Sequence, residues 1–68
     1  MRVTKYELSL RAVGGQTMID LRFYSPDLLR GYSVIESVSY RSGESLPGLR
    51  KHAKRLAAMN NATFVDRT

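Results

Sequence analysis

Leu8-Ser9-Leu10-Arg11-Ala12-Val13-Gly14-Gly15-Gln16-Thr17-Met18-Ile19-Asp20-Leu21 decides the fold. Gly14-Gly15 marks a two-residue hairpin turn, because the primed turns that match twisted strands need positive φ, which glycine adopts without a Cβ clash. A turn at those two residues sets the pairing. Leu10 faces Ile19, Leu8 faces Leu21 and Tyr6 faces Phe23, all apolar and all on one side. The other side carries Arg11 with Met18, Ser9 with Asp20, Glu7 with Arg22 and Lys5 with Tyr24. A slip of one residue would turn every apolar side chain outward, so the turn and the two strands specify each other.

Beyond the hairpin, Ser25-Pro26-Asp27-Leu28-Leu29-Arg30-Gly31 predicts one turn of helix or a compact loop, opened by Ser-Pro and closed by Gly. Leu28 and Leu29 are expected to tuck against the sheet edge; left exposed, they would be a partner contact. Tyr32 to Arg41 reads as a third strand whose buried face is Tyr32, Val34, Val38 and Tyr40. Glu36 falls on that face and interrupts it. A bulge that brings Ile35 inward would resolve the conflict, as would an exposed strand end. Otherwise Glu36 is a functional carboxylate or part of a dimer contact.

Ser42-Gly43-Glu44-Ser45 is a turn, with Ser45 as N-cap and Pro47 in the first helical turn, where its missing N–H costs little. The helix then spans Leu46 to Met59, and Asn60-Asn61 supplies a left-handed terminator. Leu46, Leu49, Ala53, Leu56 and Ala57 form its apolar stripe, and the two alanines allow close approach to the sheet. Arg50, Lys51, Lys54 and Arg55 occupy the remaining surface. Ala62 to Asp66 is a short final strand or a docked tail, with Phe64 and Val65 over a sheet edge. The expected class is α+β: a three-stranded antiparallel sheet against one C-terminal helix, with or without a short fourth strand (βββα or βββαβ).

Composition limits the function. The chain has 68 residues, 11 Lys+Arg against 6 Asp+Glu, and a formal charge of +5. One small basic domain over residues 1–68 is expected, since so short a chain holds a single core. With no cysteine, disulfide scaffolds and cysteine-based zinc sites are excluded. No apolar run approaches the roughly 18 residues of a membrane span, and the N-terminus lacks a signal-peptide stretch, so a cytoplasmic protein with no membrane partner is expected. Domains this small sit near energetic balance, and with no staple visible a homodimer is a reasonable expectation.

Catalysis is not expected. His52 is the single histidine, Ser33, Ser37 and Ser39 have no base placed beside them, and the acids are scattered. Gly14-Gly15 lacks the Lys-Ser/Thr and following helix of a phosphate loop. No cofactor or metal is expected. Residues 45–65 hold four Lys+Arg and no acid, while the rest of the chain holds seven against six. Lys and Arg on helices ordinarily alternate with Glu at four-residue spacing; here Arg50, Lys51, Lys54 and Arg55 lack such partners. They are the first candidate site, for nucleic-acid phosphates (DNA or RNA) or an acidic protein surface. The hairpin's polar face is the second, with Lys5, Arg11, Arg22 and Tyr24 beside Glu7 and Asp20. Sheets that stack bases show several aromatics, and only Tyr24 projects from the hairpin.

The strand-strand-strand-helix order, with Leu49-Arg50-Lys51-His52-Ala53-Lys54-Arg55-Leu56-Ala57-Ala58 on the helix, resembles the C-terminal half of a double-stranded-RNA-binding domain. That resemblance implies phosphate contact by basic residues opening the helix. It leaves out the family's first helix and loop signature. The order is also similar to three-stranded DNA readers of the integrase-arm type, which place the sheet in the major groove. Two functions compete: a non-catalytic nucleic-acid-binding module, and a stoichiometric inhibitor or adaptor of phage or mobile-element type that occludes a host enzyme or defence complex. Leu28, Leu29 and Glu36 are the candidate partner contacts for the second. A third reading, an assembly subunit dimeric through strand pairing, rests on the two-faced third strand.

Overall fold

The computed structural model describes residues 1–41 and 45–68. It contains β1 (Lys5–Val13), β2 (Gln16–Tyr24), β3 (Tyr32–Ser39), α1 (Leu46–Met59) and β4 (Thr63–Asp66). The strands form one mixed sheet in the order β3-β2-β1-β4. The β1–β2 pairing runs in the expected register, from Lys5 with Tyr24 to Val13 with Gln16. Gly14 and Gly15 both take positive φ, 51° and 80°, as the primed turn requires.

The chain ends as a fourth strand. β4 lies parallel to β1, with Tyr6 opposite Phe64 and Leu8 opposite Asp66. Asn61 enables this return: its φ of 52° stops the helix in the left-handed conformation that Asn tolerates. At the other end, Pro47 sits in the first turn, and the Leu49 N–H donates to the Ser45 carbonyl oxygen. Ser45 takes the N-cap position as expected, but it lies in the helical region (φ −81°, ψ −18°) and its hydroxyl makes no capping bond. The rest of the anticipated turn, Ser42-Gly43-Glu44, lies outside the described residues.

The core is one layer between helix and sheet. Leu8, Ile19 and Leu21 are wholly buried against Leu46, Leu49 and Ala53, with Val38, Leu56 and Phe64 packed around them. Burying each of the three large sheet residues is worth about 1.5–3 kcal/mol. The helix is off-centre: it lies over β1 and β4, touches β2, and no Cα of α1 comes within 8 Å of one in β3. Leu10 is on the apolar face as expected, yet it is exposed because nothing covers the hairpin's far end.

The segment from Ser25 to Tyr40 departs from expectation both in its loop and in the faces of its strand. The loop is a chain of turns closed by Ser25 N–H to the Gly31 carbonyl, with the Ser25 hydroxyl accepting the Asp27 N–H. Leu28 is half-buried, but Leu29 is fully exposed and does not tuck against the sheet. β3 does contain a bulge, since Leu21 pairs with Glu36 and Arg22 with Val34, leaving Ile35 as the extra residue. The bulge acts differently from the expectation. Ile35 remains exposed, and the strand's parity flips at this point, because one added residue reverses a period of two. Tyr32 and Val34 therefore join the face away from the helix, opposite Tyr24 and Arg22, while Glu36 and Val38 stay on the helix side. Tyr40 is exposed rather than buried.

Candidate nucleic-acid interface

Two surfaces carry the cations. On the helix, the apolar stripe faces the sheet and turns Lys51, His52, Lys54 and Arg55 to solvent. Arg50 departs from this group. Its Nε donates to Asp66 at 2.7 Å and its Nη2 to the Thr68 hydroxyl at 3.0 Å. The parallel return of β4 creates that pair, and the run of unopposed cations counted along the sequence ended one residue short of Asp66. Hydrogen bonds from Thr68 lead the effects that hold the Asp66 carboxyl below its usual range, and Arg50 adds to them. Among the described residues, no carboxylate lies within ion-pair distance of Lys51, Lys54 or Arg55.

The opposite sheet face is not an ordinary solvated surface. Its two acids are nearly sealed off, with Glu7 5 % and Asp20 1 % exposed. Asp20 accepts from Arg11 Nε at 2.7 Å and Nη2 at 3.3 Å, and from the Ser37 hydroxyl at 2.7 Å, with Arg22 Nη2 at 3.8 Å. Glu7 accepts from the Tyr24 hydroxyl at 2.9 Å and Arg67 Nε at 2.7 Å, with Lys5 Nζ at 3.8 Å. Buried acids need such saturation, because an unpaired carboxylate away from water is costly. Hydrogen bonding from Arg11 is the main reason that Asp20 titrates below its usual range. Burial pushes Glu7 upward, but bonds from Tyr24 and Arg67 and the charge of Lys5 outweigh it, so its pKa is also lowered.

Above these acids lie rings and cations. Tyr24 and Tyr32 have ring centres 5.6 Å apart. Lys5 Nζ stands 4.1 Å from the Tyr24 ring centre, and the guanidinium carbons of Arg22 and Arg30 each stand 4.7 Å from that of Tyr32. Lys5, Arg11, Arg22 and Tyr24 lie here, as the hairpin register implies. Tyr32, Arg30 and Arg67 join them unanticipated, through a bulge, a loop and the segment after a parallel strand. Glu36 and His52, on separate elements, line one open cleft of about 420 Å³ between β3 and α1, together with Val38 and Leu49. Among the described residues no group of three or more His, Asp or Glu is placed to hold a metal ion, and no helix is long and apolar enough to cross a membrane.

Compared with protein-family models, with curated proteins and with solved structures, the chain matches none. The two resemblances of strand order thus gain no support from a match, and strand order alone assigns no function.

Proposed function

We propose that this chain is a non-catalytic nucleic-acid-binding module that meets phosphates through Lys51, Lys54 and Arg55. The observation that carries the reading is the distribution of charge pairing. Lys5, Arg11, Arg22, Arg50 and Arg67 are all matched to Glu7, Asp20 or Asp66. The three helix cations are left exposed with no such partner among the described residues. Positions 51 to 55 cover about 6 Å of helix axis, a length over which duplex DNA carries three or four charges at about 1.7 Å each. Arg50, the fourth residue of the expected site, is committed to Asp66 and contributes less.

The test is binding to DNA and RNA duplexes across salt. Neutralising about three phosphates gives a slope of roughly −2.7 in log K against log salt, a loss of about 40-fold between about 50 and 200 mM. Substituting Lys51→Gln, Lys54→Gln and Arg55→Gln together removes most of that slope. An unchanged slope in the triple variant overturns the reading.

A second reading, a stoichiometric protein binder, is favoured by one feature. Leu29 is fully exposed in the loop that leads into edge strand β3, where Val34 and Ile35 are also exposed. Nuclease-treated pull-downs separate the two: a protein partner retained without nucleic acid, and lost with Leu29→Asp, supports the second.

A further inference from the structure

We propose that the sheet face is a second binding surface, built to take unpaired nucleic-acid bases, with Tyr24 and Tyr32 as the stacking rings and Lys5 and Arg30 as the phosphate-side cations. This deepens the nucleic-acid reading above and rests on it. It assigns single-stranded chain to the face opposite the helix.

Three observations point to that occupant. The first is composition at the surface. Aromatic rings interleaved with cations suit a polyanion whose repeating unit has a flat π-face, and a surface for acidic protein needs no paired rings. The second is how the two acids are placed. Glu7 and Asp20 lie almost wholly buried beneath the face and are saturated by Tyr24, Arg67, Arg11 and Ser37. Lys5, Arg11, Arg22, Arg30 and Arg67 outnumber these two acids on the face, and the half-buried Tyr24 and Tyr32 rings lie among them.

The third is rigidity. The Tyr24 ring is tied by its hydroxyl to Glu7, and Arg22, the cation beside Tyr32, is drawn toward Asp20. Side chains ordered before binding lose little entropy when a ligand arrives. Arg30 remains exposed beside Tyr32, and a guanidinium plane is itself a stacking partner for a base. β3 and its bulge complete the platform. Without the parity flip, Tyr32 would point to the helix side and the face would hold one ring. The helix cations serve single and double strands alike, because both present phosphates. The sheet distinguishes them, because only an unpaired strand offers its bases for stacking.

Fluorescence anisotropy on the full chain tests this with three probes of about 15 nucleotides, a length within the site sizes of single-strand binders. They are a thymidine single strand, an abasic strand with the same phosphates, and a duplex. The parent chain is expected to bind the thymidine strand more tightly than the abasic one, with the difference persisting at high salt because stacking is not screened. Tyr32→Ala weakens thymidine-strand binding about fivefold or more and leaves duplex binding unchanged. Tyr32→Phe retains the parent affinity, and Arg30→Gln, at an exposed position that folding does not need, falls between. Circular dichroism confirms that each variant is folded.

Equal binding of thymidine and abasic strands overturns the inference, as does equal competition by polyglutamate of matching charge, which would assign the face to acidic protein. If Tyr32→Ala changes nothing while the helix triple variant weakens every probe, the sheet inference falls and the helix reading stands. The helix reading falls and the sheet inference survives if only Tyr32→Ala has an effect.

Discussion

Replacing Asp20 with Ala tests the organisation of the sheet face directly. The carboxylate is 1 % exposed, and it accepts two hydrogen bonds from Arg11 and one from Ser37, with Arg22 at 3.8 Å. Hydrogen bonds to a charged acceptor contribute about 1.5–3 kcal/mol each at most, and the terms do not add fully. Removing one member of a buried pair costs about 3–5 kcal/mol when the remaining charge is sealed in. Here Arg11 can turn to water, so the cost is smaller. Arg22 cannot do so freely: its side chain is 25 % exposed and its Nε already lacks a hydrogen-bond partner. A loss of about 2–4 kcal/mol follows. A chain of this size has roughly 3–10 kcal/mol in total, so the variant is expected to lie close to its unfolding threshold. Urea unfolding followed by circular dichroism reads this out. With a slope near 1 kcal/mol per M, as for the smallest domains, the midpoint drops by about 2–4 M. Ser37→Ala, which removes one donor and leaves the charge pair, is expected to cost only about 0.5–1.5 kcal/mol. An Asp20→Ala midpoint within about 0.5 M of the parent would refute the view that this carboxylate is a buried organising charge.

Acid is expected to unfold the chain through the same groups. The pKa values of Asp20, Glu7 and Asp66 are lowered in the folded state, so their contribution is complete above the unfolded carboxylate range near pH 4 and is lost as pH falls through the depressed values. Melting temperature is therefore flat from about pH 5 upward and falls below about pH 4; an equally steep fall in Asp20→Asn would count against the assignment. Asp66→Asn frees Arg50 for a ligand at a stability cost of about 1 kcal/mol or less, because the pair is part-exposed. The phosphate-binding salt slope then steepens by roughly one, and a slope that stays put would show that Arg50 cannot reach the ligand. Leu21→Ala, at a fully buried site, is expected to cost about 2–5 kcal/mol, whereas Leu29→Ala, fully exposed, changes chemical stability by less than about 0.5 kcal/mol. Similar midpoints for the two variants in urea would contradict the placement of the core.

The hairpin was legible because its information is local. A Gly-Gly turn and a period-two pattern constrain each other within twenty residues, and every pair from Lys5 with Tyr24 to Val13 with Gln16 follows from them. The helix was legible for the same reason: Pro47, the apolar stripe and Asn61 are all read within one segment. On β3 the misplaced Glu36 pointed to a bulge, which is present, but the directions of Ile35, Val34 and Tyr32 depend on register with the partner strand and were not legible in the strand's own pattern. The candidate site was legible only in its residue types. Lys51, Lys54 and Arg55 are exposed as expected, while Arg50 is withdrawn by a carboxylate sixteen residues on.

Sequence by itself determined the register of the hairpin, where β3 and the helix begin, which faces of β1, β2 and α1 are apolar, and that basic charge concentrates on the helix. Tertiary structure alone decided which charges are spent inside the fold and which aromatic rings share a surface. Pairing of this kind depends on through-space distances of a few ångströms between residues far apart in the chain. Arg67 with Glu7, Ser37 with Asp20 and Tyr32 with Tyr24 come together only when the edge strands have taken their places beside the hairpin.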